Sequence, residues 1–233
     1  MLFFIINSKN YIEAAGDNSS RLAVAIDELS RNYLAVKIVL ASPAFSLARL
    51  SSEFKSLEVY CQHLDDEAIG STTGFLVPEI AKSFGARGSL INHSEHRIPP
   101  AAISHLVAKL RELGLVSVVC ARDGKEVSEF AEFRPDFIAI EPPELIGSGK
   151  AVSKTRPELI VDSRRELDTV TKRLNSRTRL LCGAGIVEPI DATRAIELGS
   201  EGILVASGVI KSSDWTASIK GLADGLIAAR ESR

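Results

Sequence analysis

Short apolar runs alternate with longer amphipathic stretches along the whole chain. LFFII (2–6) precedes a patterned segment at 13–32, VKIVLA (36–41) precedes AFSLARLSSEF (44–54), and LEVYCQ (57–62) leads through a polar turn to FLVPEIAKSFG (75–85). GSLIN (88–92) precedes 100–113, VSVVC (116–120) precedes 125–133, and DFIAI (136–140) precedes a loop and then PELIVDSRRELDTVTKRL (157–174). RLLC (179–182) precedes EPIDATRAIELG (188–199), and EGILVA (201–206) precedes 215–229. The longer stretches carry helical spacing; Leu106, Leu110 and Leu113 fall on one face, for example. Several short runs are apolar at both parities, the pattern of parallel strands covered on both sides. Gly85, Gly114 and Gly199 end helical patterns and predict C-terminal caps, while Glu188 and Asp214 stand in or near first turns, where backbone N–H groups favour an acid. Eight strand–helix units in 233 residues predict a single (β/α)8 barrel over residues 1–233. A doubly wound open sheet is the alternative.

Composition narrows the partners. Hydrophobic residues make up 45% and charged residues 25%, with a formal net charge of -2, so there is no electrostatic case for nucleic acid or an anionic membrane. Aromatics are only 6%, too few for a base-stacking platform. Cys61, Cys120 and Cys182 form no CxxC pair and no zinc spacing; each borders an apolar run and is expected to be a small buried hydrophobe. Their odd number fits a reducing compartment. MLFFII stops at Asn7, too short for a signal peptide or membrane span, and a cytoplasmic location is expected by default.

The polar residues that matter stand just past the apolar runs, where barrel enzymes place their chemistry. Asn7 and Lys9 follow the first run, and a lysine there offers a compact positive charge for an anionic substrate. His93 follows GSLIN within NHSEHR, where Ser94, Glu95 and Arg97 can build a supporting shell. The four histidines share no metal-ligand pattern, and His63 is expected to pack a loop. Glu141 ends DFIAI and is followed by Pro142-Pro143 and a segment containing Gly147 and Gly149: an acid, then a loop with stiff and permissive portions. A base, a group that polarises an oxygen and a fixed cation suit proton transfer beside a carbonyl. CGAGI (182–186) and ASGVI (206–210) follow the last two strands, and such paired small-residue turns can hold a phosphate through backbone N–H groups. Neither is a Walker motif or a dinucleotide fingerprint. No metal and no organic cofactor is expected.

Taken together, N-S-K (7–9), QHLDDEAIGSTTG (62–74), NHSEHR (92–97), EPPELIGSGK (141–150), CGAGI and ILVASGVIK (203–211) resemble the triosephosphate isomerase family, in its short archaeal-type form, nearly end to end. The resemblance implies interconversion of dihydroxyacetone phosphate and D-glyceraldehyde 3-phosphate, in glycolysis and gluconeogenesis. It carries over the family's established role scheme: Glu141 as base, His93 as the neutral group that polarises the carbonyl, and a loop that excludes water. Asn7 and Lys9 match the family's first-loop binding pair, Glu95 the acid supporting the lysine, and 142–150 the mobile sixth loop. Ile146, Gly147 and Ser148 match the loop tip, with a backbone that reaches the substrate phosphate. Gly183, Ala184, Gly185, Ala206 and Ser207 match the two phosphate turns. Thr73 and Gly74 match the third loop, which in the family inserts into a neighbouring subunit, so a homo-oligomer built on a dimer is implied, and a tetramer is compatible. The chain departs from the familiar bacterial and eukaryotic pattern: PPE replaces PVW after the base, CGAGI replaces YGGSV, and Ala206-Ser207 replace Gly-Gly. Another phosphate-binding aldose–ketose isomerase and a catalytically silent barrel are the competing functions.

Overall fold

The computed structural model describes residues 1–145 and 151–231. Eight parallel strands, each paired to the next in chain order, close into a barrel when β1 (Leu2–Asn7) pairs with β8 (Gly202–Val205). Between them run β2 (Val36–Ser42), β3 (Glu58–Cys61), β4 (Gly88–Ile91), β5 (Val116–Ala121), β6 (Phe137–Ile140) and β7 (Arg179–Cys182). The expected barrel is therefore the observed one, and the open sheet is excluded by the β1–β8 ladder.

The two-sided apolar runs are explained by two packed layers. Ile5, Val39, Tyr60, Leu90, Val118, Phe137 and Leu181 point inward and fill the barrel. Phe4, Ile6, Ile38, Leu40, Ile138 and Leu180 point outward against the helices. A filled interior means that the site can lie only across one end of the barrel, not through it. Gly88 makes the filling possible: a Cβ there would meet Val116 O at 2.6 Å and the Tyr60 ring at 3.1 Å.

The main helices are α1 (Asp17–Asn32), α2 (Ala44–Glu53), α3 (Pro78–Ser83), α4 (Pro100–Leu113), α5 (Gly124–Ala131), α6 (Val152–Thr155), α7 (Pro157–Leu174), α8 (Pro189–Glu197), α9 (Ser207–Ile210) and α10 (Trp215–Glu231). In α4, Pro100 opens the first turn, Ile103, Leu106 and Leu110 are buried, and Gly114 closes the end at φ 68, the left-handed C-terminal cap that the sequence predicts. Each fully buried leucine there contributes about 1.5–3 kcal/mol relative to exposure. The Glu188 expectation also holds, because Glu188 and Asp191 form a reciprocal capping box at α8. Four short elements escaped the pattern: 3-10 turns at Ile12–Ala14 and Pro143–Leu145, α6 and α9. None is long enough to carry a periodic signal.

Candidate active site

The carboxyl ends of β1, β4, β6, β7 and β8 converge on one cavity. Asn7, Lys9, His93, Glu141, Gly183, Gly185, Ala206 and Ser207 all line it. Ala184 is buried beside the cavity, where its carbonyl accepts from Val152 N–H; it anchors the chain after the sixth loop. Ile146, Gly147 and Ser148 lie outside the described residues.

The β1 exit is held in an uncommon conformation. Lys9 has φ 45, a left-handed geometry that L side chains rarely adopt and that neighbours must enforce. Asn7 Oδ1 accepts from Lys9 N–H at 2.9 Å, and the Gln62 amide donates to Asn7 Oδ1 (3.1 Å) and Lys9 O (3.0 Å). The Lys9 side chain is only 12% exposed, and its ammonium meets Glu95 Oε1 at 2.7 Å. Because Glu95 is 55% exposed, solvent screens the pair and its net stabilisation is small. Its consequence is to hold Nζ at the cavity wall.

His93 follows Asn92, which has φ 63 and ties the loop down by donating to Cys120 O and accepting from Ile98 N–H. The Glu95 N–H donates to His93 Nδ1 at 3.2 Å, which places the ring proton of the neutral form on Nε2. That Nε2 stands 3.3 Å from Glu141 Oε1. Burial pulls the imidazole towards neutrality, yet the facing Glu141 carboxylate outweighs it and leaves the His93 pKa above its ordinary value. The rise depends on Glu141 standing directly opposite the ring, so separating the two removes its cause.

Glu141 is 2% exposed and its other oxygen faces Ser94 N–H at 3.5 Å. Its side chain lies against Gly183: a Cβ there would fall 2.6 Å from Glu141 Cγ. Gly183 thus makes room for the acid in addition to its predicted place in a phosphate turn. Beneath Glu141, burial and the same carboxylate push the Cys120 thiol well above its ordinary pKa, so Cys120 stays a neutral neighbour. All three cysteines are free and buried, as expected.

The two small-residue turns approach each other closely. A Cβ on Gly208 would meet Ile186 O at 2.4 Å, so only glycine lets the 182–186 and 206–210 segments pack side by side. Of the remaining predicted residues, Arg97 reaches away from His93 to Glu126 on α5, and Thr73 and Gly74 are exposed on the long 62–77 loop. Gly74 lines a groove with Lys9, Glu95 and His96. His63 packs a loop as expected, stacked on His96 with ring centroids 3.9 Å apart. Gln62 was missed as a site residue; its place at the end of LEVYCQ, beside the β1 exit, was the available signal. Among the described residues no group of three or more His, Cys, Asp or Glu is arranged to hold a metal ion.

A buried carboxylate, an imidazole whose Nε2 faces it and a pinned ammonium suit carbon-acid chemistry beside two small-residue turns, and comparison with known proteins agrees. The triosephosphate isomerase family model matches residues 2–222. The chain belongs to the triosephosphate isomerase family. It is 49% identical to the triosephosphate isomerase of Cenarchaeum symbiosum over 95% of this chain and 96% of that protein. The Methanothermus fervidus triosephosphate isomerase is 42% identical, over 94% of this chain and 96% of its own length. The Archaeoglobus fulgidus triosephosphate isomerase is likewise 42% identical, over 94% and 95%. The chain is therefore similar to triosephosphate isomerases of archaea; in its own PPE segment (142–144), Glu144 forms an ion pair with Arg156.

Proposed function

We propose that Glu141, His93 and Lys9 carry the interconversion of dihydroxyacetone phosphate and D-glyceraldehyde 3-phosphate in this chain. The observation that supports these roles most is their convergence from three separate strand ends onto one cavity floored by the two small-residue turns.

With dihydroxyacetone phosphate bound, Glu141 takes a proton from C1. The electron pair moves into the C1–C2 bond and the C2 oxygen becomes negative. Lys9 Nζ and His93 Nε2–H stabilise that oxygen, and because both are already held by Glu95 they need little reorganisation as charge develops. The hydroxyl proton passes from the C1 oxygen to the C2 oxygen, Glu141 returns its proton to C2, and the aldehyde forms at C1. Asn7, Gly183, Gly185, Ala206 and Ser207 bind the substrate beside the cavity; the backbone of the two turns, with the tip residues Ile146, Gly147 and Ser148 of the sixth loop, holds the phosphate. Closure of 142–150 keeps water from the enediolate and limits loss of phosphate. None of these steps calls for a metal or organic cofactor.

The same reading assigns a homo-oligomer built on a dimer, with the loop carrying Thr73 and Gly74 in the interface. Exposed Phe45, Ile69 and Phe75 around that loop support it, and light scattering separates dimer from tetramer. A cytoplasmic location suits three reduced, buried thiols; among the described residues no helix is long and apolar enough to cross a membrane. The roles are tested by a coupled isomerase assay without added metal. Wild type should turn over both trioses, and Glu141→Asp, whose shorter side chain draws the base back, should lose most of kcat while binding phosphate normally. A near-normal kcat in that variant rejects Glu141 as the base.

A further inference from the structure

The loop that carries His93 has two anchors, and the outer one is formed by residues remote from the substrate cavity. The inner anchor is Asn92. The outer anchor begins at Arg97, which leaves the loop and places Nη2 2.5 Å from Glu126 Oε1. Glu126 is the third residue of α5, and its side chain is only 9% exposed. Its Oε2 accepts from Arg122 N–H at 2.9 Å, and its Oε1 also faces Arg122 Nε at 3.2 Å. Its own N–H donates to the Asp123 cap. One buried carboxylate at a helix N-terminus therefore joins the loop after β4 to the loop after β5. Helix N-termini favour an acid, so this residue is held on α5 by contacts other than Arg97.

We propose that Glu126 is a positioning residue for His93, holding the 92–98 loop in register through Arg97. Between the anchors lies a short segment whose geometry is exacting: His96 N–H donates to His93 O at 2.7 Å, Glu95 N–H donates to His93 Nδ1, and Ser94 N–H faces Glu141. A shift of Arg97 is transmitted through these few residues to the imidazole and to the Glu95 carboxylate that holds Lys9. The inference rests on the reading of His93 as the group that polarises the carbonyl. It adds a charged pair outside the cavity on which that orientation depends.

The test compares wild type, Glu126→Gln, Arg97→Lys and the Arg97→Lys/Glu126→Gln double variant as folded, full-length proteins. Each single variant should lose kcat about tenfold or more, the scale of a small misplacement of reacting groups. KM and the inhibition constant of inorganic phosphate should stay within about threefold, because the phosphate turns are untouched. The double variant should fall no further than the worse single one, since the two residues act as one unit. At a pH where the ring is neutral, nitrogen NMR of His93 should show the Nε2-protonated ring in wild type and a mixture of tautomers in Glu126→Gln. A kcat within twofold of wild type, with an unchanged His93 spectrum and only a lower melting temperature, would overturn the proposal by reducing the pair to a structural clamp. If Glu126→Gln does not fold, Arg97→Lys, which keeps the charge but loses the forked geometry, decides the question. If wild type itself does not isomerise, the role of His93 fails, and the NMR comparison still reports whether Glu126 orients the ring.

Discussion

Replacing Gly183 with alanine tests whether this glycine serves the base as well as the phosphate. The new methyl carbon would sit 2.6 Å from Glu141 Cγ, 3.2 Å from Glu141 Oε1 and 3.2 Å from Ile140 O. Carbon atoms pack at about 3.5–4.0 Å, so the two groups must separate by roughly 1 Å. The Ile140 carbonyl cannot give, because it accepts the Gly183 N–H at 3.0 Å within the β6–β7 pairing. Cγ is near the root of the glutamate side chain, so the whole carboxylate moves rather than its tip. A displacement of about 1 Å in a reacting group costs on the order of 100-fold in rate. Steady-state kinetics on Gly183→Ala should thus show kcat down about 100-fold, with inorganic phosphate affinity changed less than about tenfold, because only one of the two turns is altered. A kcat within about threefold of wild type, or a loss confined to KM, would refute the assignment of Gly183 as the space in which Glu141 sits.

Three further perturbations follow from the same geometry. Gly208→Ala drives a methyl into Ile186 O and the Val187 backbone; overpacking of about 1–3 kcal/mol should weaken inorganic phosphate binding about tenfold by calorimetry, and an unchanged affinity counts against the close approach of the turns. Gln62→Leu leaves Lys9 O without its side-chain donor and Asn7 Oδ1 with the Lys9 N–H alone, which loosens the left-handed Lys9, at about 1–3 kcal/mol for the group left unsatisfied; kcat and melting temperature should both fall, and retention of both rejects the role given to Gln62. His63 has a lowered pKa because burial, and then the neighbouring His96, outweigh Asp65. The folded state therefore binds this proton more weakly than the unfolded chain, so the penalty is absent above the ordinary value of 6.5 and grows as pH falls below it. His63→Gln should flatten the loss of thermal stability between about pH 7 and about pH 5.5, and an unaltered slope in melting experiments would contradict the shift.

The barrel was legible because its strands are covered on both faces and its helices on one. That contrast is written in runs such as GSLIN against the Leu106–Leu110–Leu113 spacing. Lys9, His93 and Glu141 were legible for a different reason: each is a charged or titratable residue placed just beyond an apolar run, where a merely solvated side chain has no reason to recur. The roles of glycines were only half legible. Gly183 and Gly208 could be read as small, but the atoms that would collide with a side chain, Glu141 Cγ and Ile186 O, come from other strands. Gln62 and Glu126 escaped because their partners lie 55 and 29 positions away, at Asn7 and Arg97, and nothing local marks an amide or an acid as a brace. Arg97 was recognised as support, but its attachment to α5 rather than to His93 depends on how two barrel loops pack.

The central claim is that Glu141 moves a carbon-bound proton through an enediolate. Running the reaction in D2O and following product by proton NMR reads that step directly. Wild type should place solvent deuterium on the carbon that receives the returning proton, and Glu141→Gln should abolish both exchange and turnover while still binding inorganic phosphate. Turnover by Glu141→Gln within about tenfold of wild type, or product formed by wild type with no deuterium at carbon under conditions where Glu141 exchanges its proton with solvent, would contradict it.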